Sequence, residues 1–296
     1  MHHGKRDGRS SSARRRGYGV ALLVVLTGVA ACARGDGDDV GAAPVVLAGS
    51  TSVLPFAERW AELYGGGKVT VQAGGSTAGI RAARDGTADI GMSSRALRGD
   101  EAAGLVATPV ARDGVAIIVH EDNPVRALSL AQLREIYAGR VRRWRDVGGV
   151  DAPITVITRE EGSGTRDMFE QLVMGTGQPI APHALVTAYS GGLRKMVAED
   201  RHAIGYVTFS QVTGRTRALA IEGVTPAEPT IASGRYLLQR PFLFITRGAP
   251  TPAAASFLAF VLSNEGQQIA RHEGLAAVRV IPEAGVPATM GREPAR

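Results

Sequence analysis

The chain has 296 residues, enough for one large or two medium domains with real cores. Its 44% hydrophobic and 21% charged residues describe a globular protein, and a single cysteine excludes an intramolecular disulfide. The net charge of +6 does not mark a nucleic-acid surface: residues 1–31 hold Lys5, Arg6, Arg9, Arg14, Arg15 and Arg16 against Asp7, the remainder is close to neutral, and aromatics make up only 5%.

The first 31 residues read as a signal peptide. A basic segment ends in Arg14-Arg15-Arg16, and the apolar run VALLVVLTGVAA follows at 20–31. A membrane span needs about 20 apolar residues, so this run fits the hydrophobic region of an export signal better. It ends in Val29-Ala30-Ala31-Cys32, which resembles a bacterial lipobox, with Cys32 as the lipidated residue. The short polar stretch that follows, ARGDGDDVGAAP, is rich in Gly and Asp. Residues 32–44 are therefore expected to be a flexible tether from a lipid anchor to the folded body.

From residue 44 strand-like and helix-like segments alternate. PVVLAGS is a short apolar run ending in turn residues. LPFAERWAELY places Phe56, Trp60 and Leu63 at helical spacing, with Pro55 in the first turn. KVTVQAGG alternates as a strand, TAGIRAARDG is a helix stopped by Gly86, and ADIGMSS is a strand. GVAIIVH (114–120) is a buried-strand run, and Ser129 caps the helix LAQLREIYAG. PITVITR, AIGYVTF and RPFLFITR read as further strands. GTRDMFEQLVMG reads as a helix, and TPAAASFLAFVLSNEGQQIARHEG gives a late helical region. This alternation predicts α/β layers with largely parallel sheets, in which ligands bind beyond the carboxyl ends of strands.

Three loops share one design at such points. GSTS precedes the helix at 54–64, GGSTAG (74–79) precedes one at about 79–85, and GSGTR (162–166) precedes one at about 165–174. Helix N-termini carry free N–H groups and partial positive charge, glycines allow close approach, and hydroxyls add donors. One such loop is ordinary capping; three together with Arg159 describe an anion site, because a guanidinium matches an oxyanion in shape and charge. Arg95 is a further nearby cation. Arg166 is expected in solvent, and Ser190-Gly191-Gly192 is expected only to cap its helix.

The ordered set GSTSVLPFAERW, GGSTAGI, ADIGMSSR and TREEGSGTRDMF resembles the successive motifs of the PstS-type phosphate-binding proteins of ABC importers, over roughly residues 45–282. The resemblance implies a two-lobed periplasmic-binding-protein-like α/β fold, with two domains joined by a double-crossing hinge and a ligand cleft between them. Domain I would hold 45–119 and 237–286, domain II 120–236, and 287–296 would form a C-terminal tail. Phosphate would be held by Thr51, Ser52, Ser76, Ser94, Arg159, Ser163, Gly164 and Thr165, with Glu161 orienting Arg159. Ser94 stands where many members carry an Asp that accepts a proton from phosphate, which weakens the expected rejection of sulfate.

The implied protein is a monomeric solute-binding lipoprotein on the extracytoplasmic face of the cell membrane. It would capture inorganic phosphate for the permease subunits of an ABC importer, with no cofactor, metal, nucleic acid or catalytic residue. A binding protein for sulfate, molybdate or another oxyanion, or a phosphate sensor without transport, uses the same features. A serine-dependent phosphohydrolase is the alternative of another class. Against it, GSGT follows Glu161 and so lacks the first glycine of a nucleophile elbow, and no histidine shows metal-site spacing.

Overall fold

The computed structural model describes residues 44–278. The expected signal peptide, Cys32, nearly all of the tether and the C-terminal tail lie outside the described residues.

The chain begins with β1 (Val45–Gly49), α1 (Leu54–Leu63), β2 (Val69–Ala73), α2 (Ser76–Asp85) and β3 (Ile90–Ser93). A long strand β4 (Leu105–His120) follows, then β5 (Ala127–Leu128), α3 (Leu130–Tyr137), β6 (Thr155–Arg159) and α4 (Gly164–Phe169). Next come β7 (Leu185–Thr187), α5 (Ser190–Glu199), β8 (Ala203–Thr208), β9 (Thr216–Ala218), β10 (Ala220–Ile221) and α6 (Glu228–Ala232). The described chain closes with β11 (Gln239–Arg247), α7 (Pro252–Leu262) and α8 (Asn264–His272).

One sheet runs through the molecule in the order β2-β1-β3-β11-β4-β8-β6-β7. The outer pairs are parallel, as βαβ crossovers require: β1 with β2 and β3, and β6 with β8 and β7. The two central strands run antiparallel to their neighbours, β11 against β3 and β4, and β4 against β8. Thus β4 pairs with β11 from Leu105 to Gly114 and with β8 from Val115 to Val119.

This strand joins two α/β lobes. In the first, Leu47, Phe56, Trp60, Met92, Phe242, Phe244 and Phe257 form the main core. Ile80, Ala83, Leu243 and Ile245 cover the other sheet face. The alternation along β11 divides its residues between the two faces. Trp60 is held in place by its indole N–H, which donates to the Gly266 carbonyl at 2.9 Å. In the second lobe Val115, Ile117, Val119, Tyr137, Trp144, Phe169 and Tyr206 pack on one face, and Ala116, Ile118, Leu193, Val197 and Val207 on the other. The strand β4 is thus apolar on both faces here, which explains the continuous run in the sequence.

Two helix boundaries differ from the sequence expectation. Helix α2 starts at Ser76 rather than 79, because Gly75, at φ +83°, makes the turn immediately before it. Helix α4 ends at Phe169 and continues as a wider turn over Glu170–Met174.

Candidate functional site

Glycines set how closely α2 lies on its sheet. A Cβ on Gly79 would meet the Ala48 and Met92 carbonyl oxygens, each at 2.6 Å, and the Gly49 Cα at 2.8 Å. Gly49 itself has φ +137°, open to glycine and strained for other residues. The close approach seats Ser76, the first residue of α2, against Ser94 at the end of β3: the Ser94 N–H donates to Ser76 Oγ at 3.1 Å, and the two hydroxyls lie 3.3 Å apart. Ser50 donates to Ser94 Oγ at 3.0 Å.

The second lobe faces this wall with the ends of β6 and β8 and the starts of α4 and α5. Gly164 opens α4 directly opposite Ser76 and Ser94, where a Cβ would come within 2.2 and 2.7 Å of their hydroxyl oxygens. Thr165 Oγ1 reaches Ser52 Oγ at 2.8 Å, and Ser52 Oγ lies 3.2 Å from Ser190 Oγ. Arg159, only 1% exposed, donates from Nη1 to Ser190 Oγ (2.8 Å) and from Nη2 to Thr51 Oγ1 (3.1 Å), so its guanidinium also spans the lobes. Its backbone N–H donates to the Tyr206 hydroxyl at 3.3 Å, fixing the strand end.

Of the eight residues read from the sequence, seven meet across the lobes: Thr51, Ser52, Ser76, Ser94, Arg159, Gly164 and Thr165. Ser163 is buried beside them, but its hydroxyl caps α4 by accepting the Arg166 N–H at 3.4 Å. Several readings need correction. Glu160, not Glu161, pairs with Arg159, accepting from Nε and Nη2 at 2.9 Å each, while Glu161 is exposed. Ser190 is not a cap: the N-cap of α5 is Tyr189, and the Ser190 hydroxyl belongs to the cluster. Neither Thr51 nor Ser52 caps α1, whose N-cap is Val53. Arg166 is half-buried and donates to Glu170 (2.8 Å) and to the Arg159 carbonyl (3.1 Å).

Arg95 points away from the hydroxyl cluster. It donates to both Glu101 carboxylate oxygens (2.6 and 2.8 Å) and places Nε 2.7 Å from Asp167 Oδ2 on α4, which Arg98 also approaches at 3.1 Å. The Arg95 hydrogen bond, against the opposing effect of burial, holds the Glu101 carboxyl down at about 2. Beside it the Thr77 N–H donates to the Gly162 carbonyl at 3.2 Å, so this rim contact also joins the lobes.

A residue missed in the sequence lies beneath the cluster. Arg240 on β11 is 2% exposed and donates from Nη1 to Thr165 Oγ1 at 2.7 Å and from Nη2 to Thr208 Oγ1 at 3.0 Å. Its Nε donates to Asp113 on β4 at 2.9 Å. Burial pushes the Asp113 carboxyl up to about 6 despite the neighbouring guanidinium. The sequence signal was a charge interrupting each of two otherwise apolar runs, Asp113 in ARDGVAIIVH and Arg240 in LLQRPFLFITR.

Comparison with known proteins agrees with this architecture. A family model described as a PBP superfamily domain matches residues 12–265. The phosphate-binding protein PstS of Bacillus subtilis is 30% identical over 240 residues, covering 78% of this chain and 79% of that protein. A phosphate ABC transporter substrate-binding protein from Clostridium perfringens, crystallised with bound phosphate, superposes with a TM-score of 0.78 at 38% identity, covering 80% of this chain and 100% of the other. An ABC-type phosphate transport receptor from Vibrio cholerae gives 0.68 at 36% identity, covering 79% and 100%. Matched over most of its length by a superfamily model and by a PstS relative, the chain belongs to the PBP superfamily and, within it, to the PstS family of phosphate-binding proteins.

Proposed function

We propose that this protein captures inorganic phosphate between its two lobes and delivers it to the permease subunits of an ABC importer. It works as a monomer on the extracytoplasmic face of the membrane, anchored by lipid on Cys32. The observation that carries the reading is the buried cluster in which Arg159 and hydroxyls from both lobes converge. Removing a small anion from water costs several kcal/mol or more, hydrogen bonds to it return about 1.5–3 kcal/mol each, and micromolar affinity needs about 8 kcal/mol net. Only many donors acting together meet that requirement. Thr51, Ser52, Ser76, Ser94, Gly164, Thr165, Ser190 and Arg159 supply them from the ends of five strands, β1, β2, β3, β6 and β7, and Ser163 fixes the turn that presents Gly164.

Binding and closure are then one event. The Ser52–Thr165 and Ser52–Ser190 contacts are hydroxyl pairs that an anion's oxygens replace, so phosphate draws the lobes together through groups belonging to both. The lobes pivot where β4 and β11 pass between the two cores, at Asp113 and Arg240. This lies upstream of the boundary at 119 expected from the sequence, since Val115, Ile117 and Val119 already pack in the second lobe. The family is one of solute-binding proteins.

Isothermal titration of the processed protein with phosphate tests the reading. Wild type is expected to bind at micromolar Kd or tighter, and Arg159→Ala to lose about a hundredfold or more, since it strips the site of its cation and leaves Glu160 unpaired. A folded wild type that does not bind phosphate refutes the function. Turnover of a chromogenic phosphate ester that disappears in Ser163→Ala would favour the hydrolase.

A further inference from the structure

Arg240 and Asp113 stand directly opposite each other where β11 and β4 pair, and both are almost completely enclosed. The pair is close to neutral as a unit, so it adds little net attraction for an anion. What it offers is direction. A guanidinium donates and never accepts. Thr165 Oγ1 therefore accepts the Arg240 Nη1 hydrogen at 2.7 Å, and its own proton is left for the cleft, toward Ser52 Oγ at 2.8 Å. Arg159 does the same for Ser190 and Thr51 from the other side. A threonine free to rotate presents lone pair or proton equally, whereas an anion site needs the proton.

We infer that Arg240, held by Asp113, is a positioning residue of the anion site that fixes the Thr165 hydroxyl as a donor to the ligand. The inference rests on the phosphate-site reading above. It also places one arm of the site on the strands about which the lobes pivot, so that the Thr165 proton faces the cleft only when Arg240, Asp113 and α4 are in register.

The test is a double-mutant cycle read by calorimetric titration with inorganic phosphate. Arg240→Gln is expected to weaken binding by about tenfold or more, the equivalent of about 1.4 kcal/mol. In a Thr165→Val background the same change should alter affinity by less than about twofold, because the hydroxyl through which it acts is gone. Arg240→Lys should restore part of the loss. If Arg240→Gln leaves Asp113 unpaired and fails to fold, Asp113→Asn with Arg240→Gln neutralises the pair, and the folded double variant should show the same loss. In wild type, the Arg240 guanidinium nitrogen resonances should shift on phosphate addition. Losses that multiply in the cycle, a folded pair variant that binds like wild type, or unmoved Arg240 resonances in protein that does bind phosphate would each overturn the inference. Absence of phosphate binding by wild type would instead refute the functional reading.

Discussion

Gly164→Ala separates lobe closure from lobe stability. Gly164 is the first residue of α4 and is not among the residues with positive φ, so alanine fits its backbone. Alanine is a better helix former by up to about 1 kcal/mol, so the second lobe alone should be unharmed or slightly stabilised. The added Cβ, however, would lie 2.2 Å from Ser76 Oγ, 2.7 Å from Ser94 Oγ and 2.9 Å from Ser76 Cβ, all on the opposite lobe. Ordinary contact begins near 3.4 Å, and Ser76 is seated on a helix that Gly79 presses against the sheet, with little room to retreat. Overpacking of this kind costs about 1–3 kcal/mol, and here it falls only on the closed form. Phosphate Kd should rise by about 5- to 150-fold while the melting temperature without phosphate stays within a few degrees of wild type. Titration calorimetry and thermal unfolding of the same preparation read both. A Gly164→Ala protein that binds phosphate as tightly as wild type would refute the claim that the lobes close face to face at this point.

Asp167→Asn removes the carboxylate that Arg95 and Arg98 share across the rim and should raise phosphate Kd several-fold, about 0.5–1.5 kcal/mol, seen by titration. Glu101 is ionised in the folded state down to about pH 2, against 4.5 ordinarily, so its stabilising contribution is complete above pH 4.5 and is lost as pH falls from there toward 2. Urea unfolding midpoints should show that acid slope in wild type and a shallower one in Glu101→Gln. Asp113 has the opposite sign: with its carboxyl raised from 3.8 to about 6, the folded state binds the proton first, so this group lowers stability as pH rises through that interval, and Asp113→Asn should remove that slope. Gly79→Ala drives a Cβ into two backbone carbonyls that cannot swing aside and should cost about 1–3 kcal/mol in denaturant unfolding.

The loops that carry the site were readable because each repeats Gly, Ser and Thr at a strand-to-helix junction, and Arg159 stood at the end of a strand. What escaped reading depends on distance or on neighbours of equal chemistry. Ser190 precedes a helix as any capping serine does, and only the fold brings it to Arg159, 31 residues away. Glu160 and Glu161 are equivalent in sequence; the strand's end decides which one reaches the guanidinium. Asp113 and Arg240 are 127 residues apart, and each alone resembles a charge interrupting an apolar strand. The same interruption hid the first half of β4: Pro109, Arg112 and Asp113 break the apolar pattern, so the strand seemed to begin at 114 rather than Leu105. The π-type turn after Phe169 left no compositional trace, because its residues are good helix formers.

The central claim is that one phosphate is held by both lobes at once. A crystal structure of the processed protein grown with phosphate tests it most directly. The account predicts a tetrahedral anion within hydrogen-bond distance of Arg159 and Thr165 from the second lobe and of Thr51, Ser52 and Ser76 from the first, with Asp167 still paired to Arg95. An anion that touches residues of one lobe only, or that binds away from Arg159, would contradict it.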